Sequence, residues 1–150
     1  MRFLRYIVFI SVLSVAFIKV GGQGMQNVAY LLYIDQYKDL AIEQMQRYRI
    51  PASITLAQGL FESRAGQSRL ATVGNNHFGI KCRGWKGRSI NADDDALGEC
   101  FRAYDSAKQS YEDHSRFLRN NTRYASLFQL RETDYKGWAR GLKACGYATN

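Results

Sequence analysis

The sequence predicts an α+β domain, mainly α, in which a helical lobe and a small β-hairpin lobe flank a substrate groove. Three observations carry this expectation. Apolar residues recur at helical spacing over residues 25–49 and again after the single proline, Pro51. From Asn76 to Tyr104 the helical period is lost, and aromatic, glycine and polar residues mix. Helical patterning then returns after Ser106 and ends at Gly146. A chain of 150 residues suits one domain with one ordinary core.

The first residues stand apart. Arg2 and Arg5 precede an apolar run from Ile7 to Ile18, then Lys19 and a small-residue patch at Gly21, Gly22 and Gly24. This is the pattern of a secretory signal peptide over residues 1–24, with cleavage near residues 22–24. A membrane anchor is the competing reading, but a span needs roughly 20 apolar residues and the run is shorter. The remaining residues, 25–150, form the domain. Loss of Arg2, Arg5 and Lys19 lowers the formal charge from +8 to +5. The domain stays basic, which suits an anionic cell wall and, once the chain is exported, makes nucleic acid an improbable partner. No stable membrane span is expected after the signal is removed, and the oligomeric state is left open.

The elements follow in order. Leu31, Ile34, Leu40 (or Tyr37), Ile42 and Met45 recur near helical spacing in the first helix, Met25 to Arg49. Pro51 opens a second helix to about Arg64, with Ile54, Ala57, Leu60 and Phe61 as its expected buried stripe. A short helix is expected over Gln67 to Val73. Phe78–Cys82 and Cys100–Tyr104 read as two strands around a loop, Arg83 to Glu99, rich in Gly, Asn and Asp. Ser106 and Gln109 have the form of a capping box, after which Tyr111, His114, Phe117 and Leu118 share one face. A short helix near Tyr124 to Leu130 and a last one from Thr133 or Asp134, carrying Trp138 and Leu142, complete the chain.

Of the three cysteines, Cys82 and Cys100 flank the expected hairpin and make the better disulfide pair in an oxidising compartment, leaving Cys145 odd. A zinc set drawn from His77, Cys82, Cys100 and His114 matches no standard spacing, so no metal is expected. There is no phosphate-binding glycine loop and no nucleophile elbow, and no cofactor is expected.

Three features bear on chemistry. Thr55, Gln58 and Glu62 form a polar stripe on the second helix, with Gly59 beside it. A glutamate at the C-terminal end of a helix meets the negative end of the helix dipole, which together with aromatic neighbours such as Phe61 would raise its pKa toward that of a general acid. By pattern alone, a solvated surface glutamate is the favoured reading. Asp93, Asp94 and Asp95 form an acidic run in the β lobe, which reads as a solvated loop or as the second carboxyl function that glycoside hydrolysis needs opposite the acid. Trp85, in a glycine-rich loop, is the aromatic most suited to lie flat on a sugar ring.

These residues also sit in recognisable motifs. Ile50-Pro-Ala-Ser through Ala57-Gln58 to Glu62-Ser63, Gly74-Asn-Asn-His-Phe-Gly-Ile-Lys-Cys82, Gly98-Glu-Cys-Phe-Arg-Ala-Tyr104, Arg123-Tyr-Ala-Ser-Leu-Phe128 and Gly146-Tyr-Ala-Thr149 occur in one order. The chain resembles the glucosaminidase family of peptidoglycan hydrolases, which includes flagellar cell-wall hydrolases and autolysins, over about Gln26 to Asn150. The resemblance implies a lysozyme-like fold and cleavage of the β-1,4 bond after N-acetylglucosamine in peptidoglycan strands. It makes Glu62 the catalytic acid and maps the second carboxylate to the aspartate run, with Asp94 the choice. Gln58, Asn76, Phe78, Trp85 and Tyr147 are the expected substrate-binding residues. The run Glu62-Ser-Arg-Ala-Gly66 departs from the family's usual sequence after the glutamate. Members normally continue past the position of Asn150, so a truncated domain is expected. The alternatives are an amidase cutting the stem peptide and a non-catalytic wall-binding module. Either enzyme would act outside the cytoplasm, in the periplasm, cell envelope or extracellular space.

Overall fold

The computed structural model describes residues 22–93 and 97–147. Five α-helices, a 3₁₀ helix and one two-stranded antiparallel sheet make up these residues: α1 Gly22–Tyr48, α2 Ala52–Glu62, α3 Arg69–Gly74, β1 Ser89–Ala92, β2 Glu99–Arg102, α4 Ala107–Asn120, the 3₁₀ helix Thr122–Gln129 and α5 Tyr135–Ala144. The expected signal segment lies outside the described residues as far as residue 21. Among the described residues no helix is long and apolar enough to cross a membrane.

Local chemistry explains most of the boundaries. Ser68 caps α3 by accepting from the Ala71 amide. Ser106 caps α4 by accepting from Gln109 N–H, while the Gln109 side chain reaches back to the Asp105 amide, one residue further out than in the usual reciprocal box. Asp134 caps α5 through Gly137 N–H. After α5 the chain turns at Gly146, whose φ of +69° favours glycine.

Two helix faces differ from the sequence expectation. In α1 the buried side chains are Tyr33, Ala41 and Gln44, whereas Leu31, Ile34 and Ile42 are exposed. The inward face is aromatic and polar because hydroxyls are needed there. Tyr33 Oη lies 3.0 Å from His77 Nδ1 and 3.0 Å from Tyr111 Oη. The expected stripe is therefore split: Leu40 and Met45 are half-buried, Leu40 against the core, while the other three face outward. In α2, Ile54, Thr55, Gly59 and Leu60 are buried, while Ala57 is exposed and Phe61 is 70% exposed.

Gly59 is where α1 and α4 close on α2. A Cβ there would lie 2.5 Å from Tyr33 Oη and 3.3 Å from Tyr111 Oη. Both hydroxyls are held by one hydrogen-bonded chain, so neither yields easily. Gly59→Ala is expected to destabilise the fold by about 1–3 kcal/mol through overpacking, read as a lower thermal midpoint. An unchanged midpoint would show that the chain can shift as a unit.

The β lobe also departs from expectation. Phe78–Cys82 is not a strand. It touches β2 through an isolated bridge, Lys81 to Phe101, and through Cys82 N–H to Cys100 O and Arg102 N–H to Ile80 O. Gly79 at φ +56° and the Asn76 side chain curl this segment before it can extend. The partner of β2 is instead β1, inside the expected loop, in the register Ser89–Arg102, Ile90–Phe101, Asn91–Cys100 and Ala92–Glu99. Ile90 packs so tightly on α3 that a Cβ at Gly74 would lie 2.5 Å from its Cδ1. Cys82 and Cys100 are disulfide-bonded, with a Cα–Cα distance of 5.4 Å, and Cys145 is a free thiol.

Two apolar clusters lie under the groove. Ile50, Ile54, Leu118, Tyr124, Leu127, Trp138 and Leu142 join α2, α4, the 3₁₀ helix and α5. Ala41, Phe78, Ile80 and Tyr111 tie α1 and α4 to the segment before the hairpin. Their burial against one another sets the distance between the two lobes.

Candidate active site

Glu62 is the last residue of α2, and its side chain is exposed. What holds it is the turn that follows. Ser63 is fully buried; its hydroxyl donates to Gly59 O and accepts from Gly66 N–H at 2.7 Å. Ala65 N–H reaches back to Leu60 O, and Arg64, Ala65 and Gly66 all take positive φ. This left-handed stretch turns the chain sharply away from the helix end, leaving the Glu62 carboxylate at the rim. Two non-glycine residues in that conformation store local strain beside the carboxylate. The sequence reading passed over Ser63, whose signal was its place directly after the glutamate.

Glu62 stands where two cavities meet. One, of about 260 Å³, lies toward the β lobe and is lined by Gly79, Lys81, Arg83, Arg102, Arg123 and Tyr124, among others. The second, of about 580 Å³, lies between α2 and α5 against Ile54, Ala57, Phe61, Leu142 and Gln58. Glu62 and Tyr147 line both. Among the described residues lining these two cavities, Glu62 alone carries a carboxylate. Gly79 lies close to the carboxylate: a Cβ on it would be in ordinary contact, 4.0 Å from Glu62 Oε2.

The expected site residues separate into groups. Tyr147 faces the site: burial pushes its phenol up, and the nearby Glu62 carboxylate adds to the shift. Its ring packs edge-on against His114 at 6.1 Å and against Tyr124 at 6.0 Å. Gln58 lines the apolar cavity, and neither of its amide atoms has a hydrogen-bond partner among the described residues. Phe78 lines the floor of the other cavity and stacks on His114 at 3.9 Å.

Asn76 and Trp85 line neither of the two cavities at Glu62. Asn76 is 1% exposed, and its amide is engaged on both sides. Nδ2 donates to Ile80 O and Arg102 O, and Oδ1 accepts from Phe78 N–H and Ile80 N–H. It shapes the curl that carries Gly79 and Lys81. Trp85 lies outside both Glu62 cavities, in a separate one with Tyr104, Gln109 and Glu112. Its indole N–H donates to Arg88 O, and its ring faces the Arg102 guanidinium at 5.0 Å. Trp85 therefore meets the cleft only through Arg102, because its own loop folds it back onto the β lobe. Asp94 and Asp95 lie outside the described residues. Asp93 is exposed and accepts from Gly98 N–H at 2.8 Å.

Among the described residues no group of His, Cys, Asp and Glu side chains gathers as a metal site. Both histidines belong to the interior. Burial lowers the pKa of His77 to about 4 and that of His114 to about 3, so both rings are neutral near pH 7. The cleft's arginines were not singled out in the sequence. They are spread from Arg83 to Arg123 and have no shared local pattern.

Comparison with known proteins agrees with this geometry. The glucosaminidase family model, described as mannosyl-glycoprotein endo-beta-N-acetylglucosaminidase, matches residues 38–150. Exo-glucosaminidase LytG of Bacillus subtilis is 32% identical over 132 residues, covering 79% of this chain and 46% of that protein. Peptidoglycan hydrolase FlgJ of Vibrio parahaemolyticus is 30% identical over 130 residues, covering 79% of this chain and 42% of that protein. The chain thus spans less than half the length of either relative. The crystal structure of a peptidoglycan hydrolase from Sphingomonas sp. A1 superposes with a TM-score of 0.68 at 30% identity, covering 79% of each chain. Over most of its length, in sequence and in fold, this chain belongs to the glucosaminidase family.

Proposed function

We propose that this chain is a peptidoglycan hydrolase that cleaves the β-1,4 bond after N-acetylglucosamine, acting within strands, with Glu62 as general acid. The observation that carries the reading is the position of Glu62, exposed at the junction of the two halves of one cleft. A strand laid along the cleft passes over that carboxylate. There Glu62 donates a proton to the glycosidic oxygen as the bond to the sugar's anomeric carbon breaks, and a water adds to that carbon and gives up its proton to complete the hydrolysis. The positive charge that develops on the sugar ring is met either by the β-lobe aspartate assigned as Asp94 or by the acetamido group of the substrate. Tyr147, beside Glu62 and open to both halves, is placed to contact the sugar at the cut. The substrate lies outside the cytoplasm, which agrees with the signal segment expected at residues 1–24.

Digestion of purified peptidoglycan, with mass analysis of reduced products, tests the reading. New N-acetylglucosamine reducing ends on multi-sugar fragments are expected. Disaccharides alone would replace endo action by exo action, and released stem peptides would replace the glycosidase by an amidase. Intact strands that retain bound protein would point to a wall-binding module.

A further inference from the structure

The two halves of the cleft differ sharply in charge. Lys81, Arg83, Arg102 and Arg123 line the half next to the β lobe, whereas the other half is mostly apolar. Two of the cations have structural partners. Arg102 pairs with Asp113 at 2.8 Å, and Lys81 pairs with Glu99 at 2.9 Å. Arg83 and Arg123 are exposed and have no ion-pair partner among the described residues. With Lys81 and Arg102 paired and the Glu62 carboxylate on the same lining, Arg83 and Arg123 leave this half with a net positive charge that a neutral N-acetyl sugar does nothing to relieve. An anion carried by the strand would relieve it.

We propose that this cationic half binds carboxylates of the peptide stems attached to the glycan strand, so that the chain prefers strands whose stems keep their carboxylates. The inference rests on the hydrolase reading and adds what the substrate must carry. N-acetylglucosamine is uncharged, so the anion belongs to the neighbouring sugar, which bears the lactyl-linked peptide. That sugar occupies the Arg83–Arg123 side when Glu62 meets the glycosidic oxygen. Planar guanidinium groups match a carboxylate with two parallel hydrogen bonds, and arginine retains its charge at any pH at which the wall is stable. Arg102 is held in place by Asp113 and by the Trp85 ring, giving the half one fixed cation beside the two exposed ones.

The test uses purified peptidoglycan freed of secondary polymers, either intact or with its carboxylates converted to amides by carbodiimide and ammonia. Co-sedimentation is measured with the Glu62→Gln chain, so the strands stay whole. Amidation is expected to weaken binding about tenfold, the size of one lost charge-assisted contact. Adding Arg83→Gln and Arg123→Gln should lose a similar factor on intact strands and little on amidated ones. A charge-matched pair outside the cleft, Lys136→Gln with Arg140→Gln, should keep the preference. Equal binding to intact and amidated strands would overturn the proposal without any variant being needed. So would an equal loss from the control pair, which would indicate general attraction between a basic protein and an anionic wall. Strand cutting by the wild-type chain is scored separately. Carboxylate-dependent binding without any cutting would uphold this inference and remove the hydrolase reading.

Discussion

Replacing Glu62 by Gln is expected to yield a folded protein that releases no new reducing ends from peptidoglycan. Gln keeps the size and hydrogen-bonding reach of the side chain but has no proton of suitable acidity to give. Positioned general acids contribute about 10²–10⁴-fold, and a leaving sugar oxygen left unprotonated is a poor leaving group, so the loss should lie at the upper end of that range. Stability should be almost unchanged, because Glu62 is exposed and the turn after it is held by Ser63, Gly59 and Gly66. Reducing-end analysis and a thermal midpoint measured on the same sample check both halves of the statement. Residual turnover at the wild-type rate would remove Glu62 from the mechanism. A fall in the midpoint matching the fall in rate would assign it a structural role.

The second large effect is acid sensitivity of the fold. His77 and His114 have folded pKa values of about 4 and about 3, both lowered by burial. In the unfolded chain each would titrate near 6.5. Below that pH the unfolded state binds protons that the folded state refuses. The stability these rings allow is therefore complete above pH 6.5 and falls as the pH drops toward 4, levelling only below the folded pKa values. Each ring contributes a slope of about 1.4 kcal/mol per pH unit in that window. The two together amount to several kcal/mol by pH 4.5, comparable with the whole stability of a small domain.

Thermal midpoints between pH 7 and pH 4 read the slope directly. His114→Phe should flatten it by about one proton. Both His114 nitrogens lack a hydrogen-bond partner among the described residues, and a phenyl ring preserves the stacking on Phe78. His77 is different, since its Nδ1 faces the Tyr33 hydroxyl at 3.0 Å. Removing that ring would also take from Tyr33 Oη one of its two partners, leaving Tyr111 Oη. Identical slopes for the wild-type chain and His114→Phe would show that the interior admits water before the ring must charge.

How much of this could be read in advance depended on whether the cause was local. Ser68, Ser106 and Asp134 start helices through bonds from residues three positions on, so these helix starts followed from neighbours in the chain. Trp138 and Leu142 bury as their spacing implies. The faces of α1 and α2 could not be read in this way. Tyr33 turns inward because His77 and Tyr111, far away in sequence, need its hydroxyl, and Ala57 stays outside because α5 leaves a cavity there. Strand β1 was hidden inside a polar loop, since four residues are too few to show alternation, and it is Phe101 and Gly74 that accommodate Ile90.

The site divides along the same line. The motif around Ala57-Gln58 and Glu62-Ser63 runs along one helix and its end, and so the sequence by itself determined the family and the mainly helical architecture and singled out the glutamate proposed as general acid. The roles of the other residues were decided only by tertiary structure. Packing engaged Asn76 in backbone contacts, folded Trp85 behind Arg102 and brought Arg83 and Arg123 into one cavity across a span of forty residues. Helix caps and motifs act over a few residues of chain, whereas a cleft is a surface between lobes, and its lining depends on which distant segments their buried faces bring together.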